Sequence, residues 1–203
     1  MVLICQRNKL LNTLLQTLRF QQSMAAEVWG NDSFSELPQL APSHISVLRK
    51  RDKCPITCLT DMVEHFVGNL SELTSVLGPC LSNEQIGEVY AKLCALPRMK
   101  IALRLRLGNK RGCWLGKNPL VMSPLGRYTL EVSYWSSHSW TLIVSGTDEL
   151  LVFRTLNPGT LRKKIYLTAP KVPGIATITV QLLAKQHVGL DSLFTFKLDV
   201  LPN

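Results

Sequence analysis

The spacing of apolar residues changes once along the chain. Up to Leu96 they recur every three or four positions, and beyond Pro97 they alternate with polar ones, so helices precede half-buried strands. In the first segment, residues 3–29, Leu3, Leu10, Leu11, Leu14, Leu15, Leu18 and Met24 form one apolar face. Trp29 ends that pattern and Gly30-Asn31-Asp32-Ser33 breaks it. Pro42-Ser43 predicts a second helix, with Ser43 as cap and Ile45, Val47 and Leu48 inward; the run Arg49-Lys50-Arg51 closes it at the negative end of its dipole. Thr60-Asp61 opens a third through Met62, Val63 and Phe66. In a fourth, Ser82 caps and Gln85 completes a capping box before Ile86, Val89, Tyr90 and Leu93.

After Pro97, Met99, Ile101, Leu103, Leu105 and Leu107 alternate with Lys100, Ala102, Arg104 and Arg106, which predicts a strand with a basic outer face. Further strands are expected at 128–135, 140–144, 150–155, 161–167, 175–183 and 193–200, separated by turns such as Asn157-Pro158-Gly159 and Pro173-Gly174. Trp140 shares its parity with Leu142 and Val144 and is expected in the core. The fold class is α+β: an N-terminal helix-loop-helix module, then an all-β immunoglobulin- or fibronectin-like sandwich. Three domains follow from the breaks: 1–30 as the end of a helical bundle, 31–96 as the module and 97–203 as the sandwich.

Charge separates the same two halves. Residues 97–203 carry 15 Lys+Arg against 5 Asp+Glu, whereas residues 1–96 carry 8 against 9, within an overall formal charge of +9. A basic domain attracts phosphates or acidic protein surfaces without chemistry of its own, which favours a binding module over an enzyme. Three basic groups are candidate contacts: Arg49, Lys50, Arg51 and Lys53; Lys100, Arg104, Arg106, Lys110 and Arg111; and Arg162, Lys163 and Lys164.

Catalytic patterns are missing from the sequence. Gly112-Cys113-Trp114-Leu115-Gly116-Lys117-Asn118 is one residue short of a phosphate loop and has Asn where a hydroxyl belongs. Ser136-Ser137-His138-Ser139 is expected as a polar turn, and Asp148, Glu149, Asp191 and Asp199 form no acid/base pair. No cofactor is expected. Cys5, Cys54, Cys58, Cys80, Cys94 and Cys113 contain no C-x-x-C pair and are expected as buried, reduced thiols; Cys54, Cys58 and His65 lack a fourth ligand for zinc. No run approaches the roughly 18–20 apolar residues of a membrane span, and no targeting segment is evident, so a chain without a membrane partner is expected.

An ordered set of local patterns carries a resemblance. Met24-Ala25-Ala26-Glu27-Val28-Trp29 with Asp32-Ser33 and Leu37-Pro38-Gln39-Leu40 comes first, then Trp140-Thr141-Leu142-Ile143-Val144-Ser145-Gly146. Ala169-Pro170, Pro173-Gly174 and Val188-Gly189-Leu190-Asp191 complete it. Over about residues 15–203 the chain resembles the Sec-sixty-three homology unit of Ski-two-like RNA helicases, as in Brr-two-type spliceosomal helicases and the helicase subunit of the activating signal cointegrator complex. The resemblance implies a non-catalytic accessory unit that braces a motor, guides RNA and docks partner proteins in a nuclear ribonucleoprotein complex such as the spliceosome, or in a cytoplasmic one. It further implies RNA at the helical and first-strand basic groups, and protein at Arg162, Lys163 and Lys164. The motor itself is absent, so unwinding would belong to a partner or a longer chain. The alternative is a stand-alone adaptor for an acidic protein, without RNA contact.

Overall fold

The structure, a computed structural model, describes residues 2, 10–27, 34, 36–51, 55–107, 113–114, 120–147 and 149–202. The chain forms two compact units: Met1–Leu18, Arg98–Leu183 and Ser192–Asn203 make one, and Arg19–Pro97 with Ala184–Asp191 make the other. Trp29 with the break at 30–33, Cys5, Cys54, Lys53, Lys110, Arg111 and the glycines flanking Cys113-Trp114 lie outside the described residues.

Helix α1 (Leu11–Ala25) gives its first half to the sandwich unit and its second half to the helical unit. Its buried stripe is Leu14, Leu18 and Gln22 at four-residue spacing. Met24, two residues past Gln22, turns outward and is exposed, as is Leu10, so neither joins the apolar face expected of them.

Four helices follow: α2 (Pro42–Arg49), α3 (Leu59–Phe66), α4 (Leu70–Leu77) and α5 (Asn83–Ala95). Pro42 takes the first turn of α2, where its missing N–H costs nothing, so Ala41 is the cap and Ser43 lies inside the helix. Ile45 and Leu48 are buried one turn apart, while Val47 lies on the other side and is exposed. In α3, Asp61 accepts from the Thr57 N–H at 2.8 Å and the Cys58 N–H at 3.2 Å, tying down the first turn. α4 has no counterpart in the expected elements; Asn69 caps it and Leu73 and Leu77 are its buried face. α5 has the expected reciprocal cap, with Gln85 N–H donating to Ser82 Oγ at 3.3 Å and Ser82 N–H to Gln85 Oε1 at 3.0 Å. Cys80 and Cys94 are exposed and Cys58 half-buried, against the expectation of buried thiols; Cys94 is a hundred degrees around α5 from buried Leu93. Segment 184–191 joins this unit through Gln22, whose Nε2 donates to Ala184 O at 2.6 Å and Asp191 Oδ1 at 2.9 Å.

Among the described residues the sandwich has nine strands: β1 (Met99–Arg106), β2 (Cys113–Trp114), β3 (Leu120–Met122), β4 (Arg127–Ser136), β5 (Trp140–Ser145), β6 (Leu150–Leu156), β7 (Gly159–Thr168), β8 (Gly174–Ala184) and β9 (Ser192–Val200). One sheet has the order β2-β1-β4-β7, the other β3-β9-β8-β5-β6, in which β3 runs parallel to β9. The chain is thus an α+β protein with N-terminal helices and an immunoglobulin-like sandwich. All seven expected strands are present, and the two additional ones, β2 and β3, are too short to show a period.

Leu103, Leu105, Leu130, Val132 and Ile165 of the first sheet face the interior, as do Trp140, Leu142, Val144, Val180 and Leu198 of the second. Outward residues of the second sheet are buried as well. Ile143, Leu150 and Leu183 pack with Leu14 and Leu18 of α1, and Phe153, the Ile143 partner on β6, borders them. β5 is consequently buried along its whole length rather than on alternate residues.

Candidate nucleic-acid interface

The outward face of the four-stranded sheet is assembled by register. Residues directly opposite on neighbouring strands share a face and lie about 5 Å apart. Trp135 stands between Lys100 and Thr160, and Ser133 between Ala102 and Arg162. Glu131 stands between Arg104 and Lys164, and Thr129 between Arg106 and Tyr166. Their chain neighbours Leu103, Leu105, Leu130, Val132, Ile165 and Leu167 are the buried ones, which fixes the basic residues outside. One face therefore gathers Lys100, Arg104, Arg106, Arg162 and Lys164 around a single carboxylate. It also displays the rings of Trp135, 42% exposed, and Tyr166, 76% exposed.

Glu131 organises this face. Arg162 Nη2 donates to its Oε2 at 3.1 Å, and Arg106 Nη1 lies 3.4 Å from its Oε1. The Glu131 side chain is almost fully covered, whereas that of Arg162 is 63% exposed. Burial alone would raise its pKa, but the Arg162 hydrogen bond and the fields of Arg106, Arg162 and Lys164 prevail and hold the carboxyl below the ordinary glutamate range. One buried negative charge thus fixes two guanidinium groups across three strands and leaves the face with excess positive charge.

At the Trp135 end, a groove of about 640 Å³ is lined by the two rows Lys100–Trp135–Thr160 and Ala102–Ser133–Arg162, with Ile101, Tyr134 and Leu161 between them. Ala102, Ser133 and Thr160 are short and leave a shallow depression beside the indole of Trp135.

The three expected basic groups are rearranged by these contacts. Lys100, Arg104 and Arg106 share the face with Arg162 and Lys164 of the third group, while Lys163 pairs with buried Val132 and turns to the other side. On the helical unit, Arg51 Nη2 bonds Glu72 Oε1 at 2.6 Å and its guanidinium lies 5.4 Å from the Phe66 ring centre. Arg49 lies 5.9 Å from the Phe34 ring centre. Lys50 is exposed at the end of α2. Glu72 also meets His65 Nε2 at 2.7 Å and Asn69 Nδ2 at 2.6 Å; the bonds from His65 and then Arg51 draw its pKa down.

Sequence reasoning missed Glu131, Trp135 and Tyr166 as site residues. The parity of β4 held a signal: Glu131 and Trp135 are out of phase with Leu130, Val132 and Tyr134 and must share the outer face. Elsewhere, Ser137 Oγ and His138 Nδ1 are 2.9 Å apart in an exposed turn, where Ser136 Oγ donates back to the His138 carbonyl. Among the described residues no three metal-binding side chains come together. No described helix is long and apolar enough to cross a membrane.

No family model matches the chain, and no curated protein does. Among solved structures it is similar to the CARDB domain of a Pyrococcus furiosus protein in complex with di-metal ions, at 17% identity over 53% of this chain and 96% of that one, with a TM-score of 0.37. A chitin-binding domain from Burkholderia pseudomallei follows at 9% identity, covering 43% of this chain and 58% of that one, TM-score 0.32. A beta-glucosidase from Listeria innocua matches at 10% identity over 50% of this chain and 16% of its own length, TM-score 0.29.

The resemblance to the Sec-sixty-three unit of Ski-two-like helicases is overturned: no family model and no curated protein matches the chain. The residues that suggested it have commoner duties. Trp140 to Ser145 form a strand buried on both sides, and Gly174 and Gly189, at φ 123° and 85°, meet backbone demands of turns.

Proposed function

We propose that this chain is a non-catalytic binding module that holds RNA by its phosphates on the outward face of the four-stranded sheet. One observation carries the reading: three strands place Lys100, Arg104, Arg106, Arg162 and Lys164 on a single face with one carboxylate among them. Phosphate contacts need cations held in register, and the Glu131 bonds hold Arg106 and Arg162 ahead of any ligand. Arg51 and Arg49 of the helical unit are engaged with Glu72 and with Phe34, which shifts weight from that run to the sheet.

Fluorescence anisotropy of a labelled oligouridylate, titrated at several salt concentrations, tests the reading. Affinity should fall linearly with salt on logarithmic axes, and Arg162→Ala and Lys164→Ala should each lower the slope by about one. Absence of binding at low salt would end the RNA reading and leave an adaptor for an acidic protein surface.

A further inference from the structure

We propose that the groove at Trp135 is a nucleobase-stacking subsite, so that the RNA taken up is single-stranded, with one base on the indole and its flanking phosphates at Lys100 and Arg162. This rests on the phosphate-binding reading above and deepens it. Cations alone bind any polyanion, duplex or single strand. A duplex keeps its base faces stacked inside, whereas a single strand can lay a base against an aromatic ring, whatever its sequence.

The geometry supplies what such a contact requires. Trp135 is a large aromatic side chain left 42% exposed on a sheet face whose opposite side is core. Its cross-strand neighbours are a cation, Lys100, and a small residue, Thr160; one row on come Ala102, Ser133 and Arg162. The short side chains leave a shallow, open depression of about 640 Å³ beside the indole, the form a base lying flat on a ring needs. Charge is placed at both sides of the opening, on β1 and on β7, separated by roughly 10 Å at ordinary strand spacing. A planar, apolar-faced ring carrying anionic groups on either side is the ligand class that fits this arrangement.

The full chain is titrated with a 12-nucleotide oligouridylate and, separately, with a blunt RNA duplex of equal length. The single strand should bind at least tenfold more tightly. Trp135→Ala should weaken single-strand binding roughly 5- to 100-fold, with duplex affinity and salt slope unchanged. The oligonucleotide should quench indole emission more in the parent chain than in Trp135→Phe, which keeps the other three tryptophans, a readout that survives if the alanine variant folds poorly. Equal affinity for both RNAs, or Trp135→Ala binding like the parent, overturns the subsite while salt-dependent binding still supports the phosphate face. No binding of either RNA at low salt overturns both.

Discussion

On the five-stranded sheet the outward residues Ile143 and Leu183 lie under Leu14 and Leu18, while on the four-stranded sheet the outward positions are held by Arg104, Glu131 and Lys164. Both sheets obey the alternation of strands, and both bury their inner residues. They differ in what covers the back. An amphipathic helix from the start of the chain covers one, and no described element of the sandwich unit covers the other. Alternation determines which side chains share a face; whether that face becomes core or surface depends on elements far away in sequence. In this protein the covered back adds apolar core, and the other back keeps polar and charged side chains.

The largest effects should come from the interior between the sheets and from the covered back. Trp140→Ala removes an interior side chain and should cost about 3–5 kcal/mol, and Leu14→Ala about 2–5 kcal/mol, because each leaves a cavity among fully buried neighbours. Ser133→Ala on the open face should stay within about 0.5 kcal/mol. Urea unfolding of the three variants measures the contrast. Leu14→Ala costing less than about 1 kcal/mol would mean that the helix does not seal the sheet.

A smaller effect, with two opposite signs, is expected at Glu131. Its folded pKa lies below the ordinary value of 4.5, so its contribution to stability is complete above that pH and is lost as pH falls through the folded value. Glu131→Gln should therefore lower stability at pH 7 and flatten the decline seen on acidification below about pH 4.5. Some decline should persist, since Glu72 and Asp61 are also held below their ordinary ranges. The same substitution removes the carboxylate that β1, β4 and β7 place among five cations, so RNA affinity should rise. Loss of affinity together with stability would show that Glu131 matters more for placing Arg106 and Arg162 than for its charge.

How much of this was legible in the sequence follows from the range of each interaction. Strand alternation and the Ser82–Gln85 cap involve neighbours in sequence, so the seven long strands and α5 could be read directly. α4 begins at Leu70, just past Phe66 where the third expected helix ended; with eight residues it shows only Leu73 and Leu77 as a buried pair, and it was missed. The face itself needs the pairing of β1 with β4 and of β4 with β7, which joins residues 23 to 41 positions apart. Arg106 and Arg162 were visible as basic residues, but nothing local places them on the same carboxylate. The helical run had the opposite fate: Arg49-Lys50-Arg51 reads as a charged patch, and folding commits Arg51 to Glu72. Arg51→Ala should accordingly lower the unfolding midpoint of the chain and leave the RNA salt slope where it was, which calorimetry and anisotropy can check together.

The finest test lies within three consecutive residues. Arg162, Lys163 and Lys164 look alike in sequence, yet β7 turns the first and third to the open face and the second toward the side of Val132. Lys163 is half-buried there, with its stem against apolar neighbours, and its charge sits apart from the cations around Glu131. Arg162→Ala and Lys164→Ala should each take about one unit from the salt slope, whereas Lys163→Ala should leave it unchanged within error. All three lose one positive charge, so net charge alone predicts three equal changes. Equal slopes in anisotropy titrations would mean that the whole basic domain acts as a diffuse attractor; a low-high-low pattern along the strand would mean that one sheet face meets the RNA.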